Sequence, residues 1–168
     1  ELVIGIDDAG RGPLIGPMIL AGVLMTKEQE NILRESGVKD SKQLLHPARI
    51  RLAETIKENS LNHKVVKSFP NEIDVAVSSK ENLNTLEAKK AAEIINFLAD
   101  GKEKIKIILD CPSVNTKAWR LKLLEFVKNK DILEVICEHK ADVNHPSVSA
   151  ASILAKCARE EEVEIIKK

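Results

Sequence analysis

Two adjacent carboxylates, Asp7 and Asp8, directly follow an apolar run at residues 2–6. The apolar run predicts a buried strand, and the glycines and proline of residues 10–13 predict the turn that ends it. Carboxylates at the tip of a buried strand are costly unless a cation or hydrogen bonds compensate for the lost water. Hard cations such as Mg²⁺ bind oxygen ligands and often combine one or two carboxylates with substrate phosphates. This segment alone fits a divalent-metal site and a polar loop, with Asp8 pointing to water, equally well.

A second acid occupies the same kind of position. Asp110 follows the apolar run 105–109, which predicts another buried strand. If this strand lies parallel to the first and beside it, Asp110 comes next to Asp7 and Asp8, because sites in such sheets gather beyond the carboxyl ends of the strands. The alternative for Asp110 is a strand-end cap or a surface charge.

A third acidic position, Asp142, lies just before a long predicted helix over residues 146–168, with Pro146 at its first position. The first turns of this helix are rich in small residues and hydroxyls, including Ser149 and Ser152. A helix N-terminus attracts anions through its free N–H groups and its dipole, so these serines are candidate phosphate contacts. The alternatives are close helix packing for the serines and a cap or loop charge for Asp142.

Clustered carboxylates repel one another strongly unless cations bind among them. Such a cluster suits a two-metal phosphodiesterase, in which one ion generates hydroxide from water and the other stabilises the leaving oxygen, about 3.5–4 Å apart. The four candidate ligands are Asp7, Asp8, Asp110 and Asp142.

The remaining pattern predicts the elements that would position these acids. Apolar runs predict strands at 2–7, 17–25, 105–109 and 132–137, and a strand or loop at 61–69. Helical periodicity and turn residues predict helices at 27–36, 47–59, 71–77, 82–99, 119–127 and 146–168. Early strands followed by alternating strands and helices indicate an α/β fold with a mixed sheet and helices packed around it.

Composition narrows the function classes. The 168 residues suffice for one domain with a core, and 43% of them are apolar. Lys and Arg equal Asp and Glu at 26 each, so a nucleic-acid partner would have to bind a local basic patch. With three Phe, one Trp and no Tyr, stacking platforms for single strands are not expected. Three scattered cysteines predict free buried thiols rather than a zinc site, and no segment predicts a signal peptide or membrane span.

Several motifs together resemble type 2 ribonucleases H, the ribonuclease HII family. Residues 4–17, IGIDDAGRGPLIGP, resemble the family's opening signature G-x-D-E-A-G-R-G-P-x-x-G-P. Residues 39–44, KDSKQL, resemble its K-D-S-K-x-L loop, and residues 83–87 fit the start of its central helix. Residues 139–142, HKAD, with 146–156, PSVSAASILAK, resemble its K-A-D-x-x-x-P-x-V-S-A-A-S-I-x-A-K block. The motifs occur in family order and span nearly the whole chain.

The resemblance implies an RNase H-like fold, a five-stranded mixed sheet flanked by helices, as a single catalytic domain over residues 1–168. It implies endonucleolytic cleavage of the RNA strand of RNA–DNA hybrids, and cleavage at ribonucleotides embedded in duplex DNA. Two Mg²⁺ or Mn²⁺ ions would support the hydrolysis, which leaves 5′-phosphate and 3′-hydroxyl ends. We also expect a cytoplasmic monomer without a membrane partner, of a form similar to archaeal members.

The resemblance also assigns residues by position. The metal-binding and catalytic carboxylates are Asp7, Asp8, Asp110 and Asp142. Residues implied to contact the substrate are Gly10, Arg11 and Gly12, which match the loop that contacts the ribose 2′-OH, and Lys39, Ser41 and Lys42, which would contact phosphates. Ser149 and Ser152 remain phosphate candidates, with helix packing as the alternative.

Two departures from the family pattern leave a second function open. Asp8 stands where the family has glutamate and is one methylene shorter, which matters because Mg²⁺ demands near-ideal geometry. The family carries further helices and a junction-sensing tyrosine beyond the position where this chain stops. Both ends of this sequence look trimmed, and it contains no Tyr. A hybrid-binding variant with impaired catalysis is therefore the alternative. A related nuclease acting on DNA alone is a third hypothesis, against which the loop 10–12 argues.

Overall fold

The computed structural model describes residues 1–10, 17–36, 38, 45–78 and 82–167. Its strands are β1 (Leu2–Ala9), β2 (Met18–Thr26), β3 (Asn62–Ser68), β4 (Ile105–Asp110) and β5 (Leu133–Glu138). Its helices are α1 (Lys27–Glu35), α2 (His46–Glu58), α3 (Pro70–Ser78), α4 (Leu83–Leu98), α5 (Thr116–Leu124), α6 (Ala141–Asn144) and α7 (Pro146–Lys167). A 3₁₀ turn, Lys130–Ile132, precedes β5.

The five strands form one mixed sheet in the order β3-β2-β1-β4-β5. β1 pairs antiparallel with β2, which in turn pairs antiparallel with β3. β1 pairs in parallel with β4, and β4 pairs in parallel with β5. The α/β class, the five-stranded mixed sheet and the parallel neighbourhood of β1 and β4 are confirmed.

Helices cover both faces of the sheet because its central strands are apolar on both sides. In β2, Leu20 and Leu24 pack in one core with residues of α4, while Val23 and Met25 pack in a second core with residues of α7. Successive side chains of a strand point to opposite faces, so one continuous apolar strand serves both cores. The sheet is therefore a rigid central layer on which the loops at its edge are held.

Gly5 lets α7 approach the sheet closely. A Cβ atom at Gly5 would lie 2.2 Å from the carbonyl carbon of Ser147, at the start of α7. Backbone can come this close only where a side chain is missing. The first glycine of the opening motif thus sets the distance between β1, which carries Asp7 and Asp8, and the helix that follows Asp142.

Strand β1 extends to Ala9, two residues beyond its predicted end at Asp7, and two helices also differ from the sequence prediction. Helix α5 begins at Thr116 rather than at Trp119, because the side chain of Asn115 accepts a hydrogen bond from Ala118 N and caps the helix earlier. The short helix α6 was not predicted, since four residues are too few to show helical periodicity. The long helix beginning at Pro146 is confirmed as α7.

The cysteines are free thiols, as predicted, with Cys111 and Cys157 buried and Cys137 half-buried. Burial raises the pKa of Cys137 to about 12, so its thiol stays protonated at neutral pH. Across the described ranges, no helix is both long enough and apolar enough to cross a membrane.

Candidate active site

The parallel register of β1 and β4 brings Asp7 level with Asp110. The two strands pair from Leu2 with Ile105 to Ile6 with Leu109, and each continues into an aspartate at the next position. Asp110 is therefore the last residue of β4, and Asp7 lies beside it, two residues before the end of β1. The prediction that Asp110 arrives beside Asp7 rested on this pairing, which is confirmed.

Both aspartates lie on the face of the sheet that α7 covers. Val3 and Ile108 pack with Val148 of α7 in one small core cluster. Because side chains alternate along a strand, Asp7 lies on the face of Val3, and Asp110 lies on the face of Ile108. Asp8, one residue further along β1, falls on the opposite face by the same alternation.

Asp142 joins this edge from the short helix α6. Lys140 adopts a left-handed conformation, with φ of 56°, which turns the chain from β5 into α6. The Ser149 hydroxyl donates a hydrogen bond of 2.5 Å to the main-chain carbonyl of Asp142. Asp142 is only 7% exposed, and α6, which carries it, packs against α7 and β4.

Backbone N–H groups already bind two of the four carboxylates. Asp8 N donates to Asp7 Oδ1 at 2.8 Å, and Lys140 N donates to Asp110 Oδ1 at 3.1 Å. These bonds orient the two carboxylates but do not neutralise their negative charge. An ionised carboxylate has about four acceptor positions, so one hydrogen bond does not prevent it from binding a cation as well.

The electrostatics of Asp7 depend on the three other candidate aspartates. Burial, at 7% exposure, is the largest factor that raises the pKa of Asp7, from 3.8 to about 8. The negative charges of Asp8, Asp110 and Asp142 raise it further, and the hydrogen bond from Asp8 N partly opposes them. A buried carboxyl among like charges keeps its proton unless a cation compensates for the charge.

The donor set suits hard divalent cations, since carboxylate oxygens are the ligands that Mg²⁺ and Mn²⁺ favour. Within the part of the chain that is described, no three acidic, histidine or cysteine side chains converge as a ready-made metal site. Carboxylates that do not converge in threes suit ions that use only one or two carboxylates each and complete their coordination shells with water and phosphate oxygens. The residues present therefore fit such ions, and a binding site would be completed together with the substrate.

The predicted substrate contacts are only partly described. Gly10 follows β1 in a left-handed conformation, with φ of 81°. Ser149 and Ser152 are buried in α7, at 3% and 5% exposure. The predicted contacts that lie outside the described residues are Arg11, Gly12, Lys39, Ser41 and Lys42.

Two polar contacts near the site were not predicted. Glu138, at the end of β5, pairs in register with Asp110, and its Oε1 lies 2.6 Å from Nε2 of His145. Glu30 of α1 is 2% exposed and accepts a hydrogen bond of 3.3 Å from Ser147 N, in the first turn of α7. The first pair joins a strand end to a helix boundary and the second joins residues 117 positions apart, so no periodic signal could have revealed either contact.

Comparisons with known proteins agree with this geometry. The family model for ribonuclease HII matches residues 4–168. The ribonuclease HII of Methanocaldococcus jannaschii is 37% identical over 176 residues, covering 99% of this chain and 76% of that protein. A crystal structure of ribonuclease H2 from Pyrococcus horikoshii OT3 gives a TM-score of 0.88 at 36% identity, covering 99% of this chain and 76% of that one. Bst-RNase HIII in complex with Mn²⁺ gives 0.81 at 28% identity, covering 97% of this chain and 53% of that one.

A family model over nearly the whole chain, matched relatives above 30% identity and the close structural match to a ribonuclease H2 all point to one family. The chain belongs to the ribonuclease HII family, which comprises metal-dependent endoribonucleases that act on RNA–DNA hybrids.

Proposed function

We propose that this chain hydrolyses the RNA strand of RNA–DNA hybrids, and duplex DNA at embedded ribonucleotides, with two Mg²⁺ or Mn²⁺ ions. The observation that carries the proposal is the buried Asp7, whose pKa is raised to about 8 by burial and by three neighbouring aspartates. Such a concentration of negative charge is costly to the fold unless it serves to bind cations. A related ribonuclease HIII in complex with Mn²⁺ supports this choice of ions.

Each carboxylate has a distinct part in the proposal. Asp7 and Asp110, level with each other on β1 and β4, would share the ions, and Asp8 and Asp142 would complete the site. When bound, the ions would activate water and stabilise the negative charge that develops on the phosphate, giving 5′-phosphate and 3′-hydroxyl ends. The backbone donors Asp8 N and Lys140 N hold Asp7 and Asp110 in fixed orientations throughout.

The substrate contacts are carried over from the family motifs. Gly10, Arg11 and Gly12 would contact the ribose 2′-OH, because glycine permits close approach of the backbone and the 2′-OH distinguishes RNA from DNA. Lys39, Ser41 and Lys42 would bind phosphates and position the duplex. We propose that the protein acts as a monomer.

The direct test is cleavage of three labelled duplexes: an RNA–DNA hybrid, DNA with one embedded ribonucleotide, and all-DNA. Each is incubated with Mg²⁺, Mn²⁺ or EDTA. We expect cuts only where ribose is present and only with a divalent ion. Cleavage of the all-DNA duplex would instead indicate a DNA nuclease, and cleavage in EDTA would exclude the metal-dependent mechanism.

The alternative, a hybrid-binding variant with impaired catalysis, is motivated by Asp8 at the position of the family glutamate. The Asp8→Glu variant restores the missing methylene and separates the two functions. If the natural chain is impaired, Asp8→Glu raises the cleavage rate while duplex affinity stays the same. If the natural chain already cleaves well, Asp8→Glu changes the rate little, because the site is adapted to the shorter side chain.

Replacement of Gly10 by alanine is expected to reduce activity and stability together. The new Cβ would lie 2.2 Å from Arg159 Nε and 2.7 Å from Pro17 O, on a backbone with φ of 81°. Strain of this kind costs on the order of 1–3 kcal/mol. The matched control is Gly101→Ala, where φ is 73° but nothing lies within 4 Å. Cleavage assays should show a lower kcat/KM for Gly10→Ala only, and thermal melts should show a larger loss of Tm for Gly10→Ala than for Gly101→Ala. Equal kcat/KM in both variants would contradict a role for Gly10 at the site.

Replacement of Ser149 by alanine distinguishes its two candidate roles. Its hydroxyl is buried and bonded to the carbonyl of Asp142, so we expect Ser149→Ala to destabilise the fold by about 1 kcal/mol. We further expect a lower kcat with an unchanged KM for the duplex, because the effect passes through Asp142. Ser147→Ala serves as the control, because Ser147 is also buried on α7 and its hydroxyl has no hydrogen-bond partner among the described residues. A raised KM in Ser149→Ala would show that the hydroxyl contacts a phosphate instead.

A further inference from the structure

The segment that carries Asp142 is closed by a side-chain pair at its two ends. Glu138 is the last residue of β5, and His145 separates α6 from α7. Nε2 of His145 donates a hydrogen bond to Oε1 of Glu138 over 2.6 Å. The side chains of His145 and Glu138 are 26% and 36% exposed, so the pair lies at the rim of the site. The hydrogen bond between them holds the two ends of the segment together.

The same segment also touches the second candidate ligand, Asp110. Glu138 is the register partner of Asp110 on the neighbouring strand, and Cys111 N donates to Glu138 O at 2.9 Å. Lys140, two residues after Glu138, donates its backbone N–H to Asp110 Oδ1. One segment, 138–145, therefore bonds to Asp110 near one end and carries Asp142 near its middle.

The backbone of His145 fixes the other end. Its N–H donates to the carbonyl of Ala141, which closes α6, and its carbonyl accepts from Val148 N and Ser149 N, which opens α7. His145 therefore joins α6 and α7 through its backbone hydrogen bonds, and it joins β5 through the hydrogen bond from its ring to Glu138. A shift of His145 would move Asp142 relative to Asp110.

We propose that Glu138 and His145 are positioning residues that fix Asp142 relative to Asp110 for divalent-metal binding. Asp110 and Asp142 are both carboxylates, and repulsion between like charges favours their separation until a cation compensates for it. The hydrogen bond between His145 and Glu138 opposes this separation. The inference rests on the proposed metal-dependent function and adds the residues that prepare the site for the ions.

The test measures metal binding without substrate, alongside catalysis. Mn²⁺ is titrated into the natural chain, His145→Ala, Glu138→Ala and the double variant, with free Mn²⁺ followed by electron paramagnetic resonance. Loss of an outer contact of this kind weakens metal binding or activity by about 10- to 100-fold. We expect weaker Mn²⁺ binding and lower kcat in each single variant, an unchanged KM for the duplex, and no additional loss in the double variant.

Two further variants separate positioning from general damage to the fold. His145→Gln keeps an N–H donor that can reach Glu138 and is expected to restore most of the Mn²⁺ affinity. His63→Ala, on β3 at the far edge of the sheet, is the control and should bind Mn²⁺ like the natural chain. Thermal melts of all variants confirm that each is folded at the assay temperature.

Failure of the positioning role can be distinguished from failure of the proposed function. If the natural chain binds Mn²⁺ but cuts no duplex, the proposed function fails while the Mn²⁺ titrations still test the positioning role. Unchanged Mn²⁺ affinity in folded His145→Ala and Glu138→Ala would overturn the inference, whether or not the chain cleaves. Fully additive losses in the double variant would also overturn it, because the two residues would then act independently.

Discussion

Asparagine in place of Asp110 is expected to reduce metal-dependent cleavage by about 1,000-fold or more, equivalent to roughly 4 kcal/mol of transition-state stabilisation. The variant removes one negative charge from the cluster around Asp7 but keeps the shape of the side chain. Asparagine Oδ1 can still accept the hydrogen bond from Lys140 N, so the turn into α6 should be preserved. The loss would therefore report on charge and metal binding, not on folding.

The measurement is single-turnover cleavage of the duplex with one embedded ribonucleotide, in Mg²⁺ and in Mn²⁺. Asp131→Asn, in the exposed 3₁₀ turn before β5, is the matched control and should cleave at the natural rate. A folded Asp110→Asn variant that retains more than about a tenth of the natural rate would remove Asp110 from the set of essential ligands.

The sequence was sufficient for the part of the site that lies on regular strands. Apolar runs ending in Asp7 and Asp110 indicated two buried strands, and their parallel pairing was the one assumption needed to bring the acids together. That inference succeeds because buried strands have a strong local signal and because the carboxyl ends of parallel strands share an edge.

The sequence could not predict those parts of the site whose positions depend on side-chain contacts between separate segments. The helix α6, the pair formed by Glu138 and His145, and the bond from Ser147 N to Glu30 have no periodic signature. Ser149 shows the same limit, because its type and place at a helix start favour a phosphate contact as much as the bond to Asp142 that the fold contains. For residues that patterns alone left open, the resemblance to a family supplied roles that stay predictions.

Metal-free protein is expected to lose stability as the pH rises from about 4 to 8, and Asp7→Asn should lose much less. Asp7 has a pKa of about 8 in the folded chain and 3.8 as its ordinary value, so between these limits the folded state holds a proton that the unfolded state has released. The free energy of unfolding then falls with increasing pH, by up to about 1.4 kcal/mol per pH unit from this group. Asparagine carries no titrating proton, and its Oδ1 can still accept from Asp8 N.

The measurement is urea unfolding in EDTA at several pH values, comparing the two proteins at each pH so that other titrating groups cancel. At pH 8.5 we expect Asp7→Asn to be more stable by on the order of 2–5 kcal/mol. Added Mn²⁺ should stabilise the natural chain at this pH, since the ion compensates for the charge of the ionised Asp7, and should stabilise Asp7→Asn much less. Parallel pH profiles for the two proteins would mean that Asp7 is not a buried, strained carboxyl, and the electrostatic basis for a metal site at this edge of the sheet would be lost.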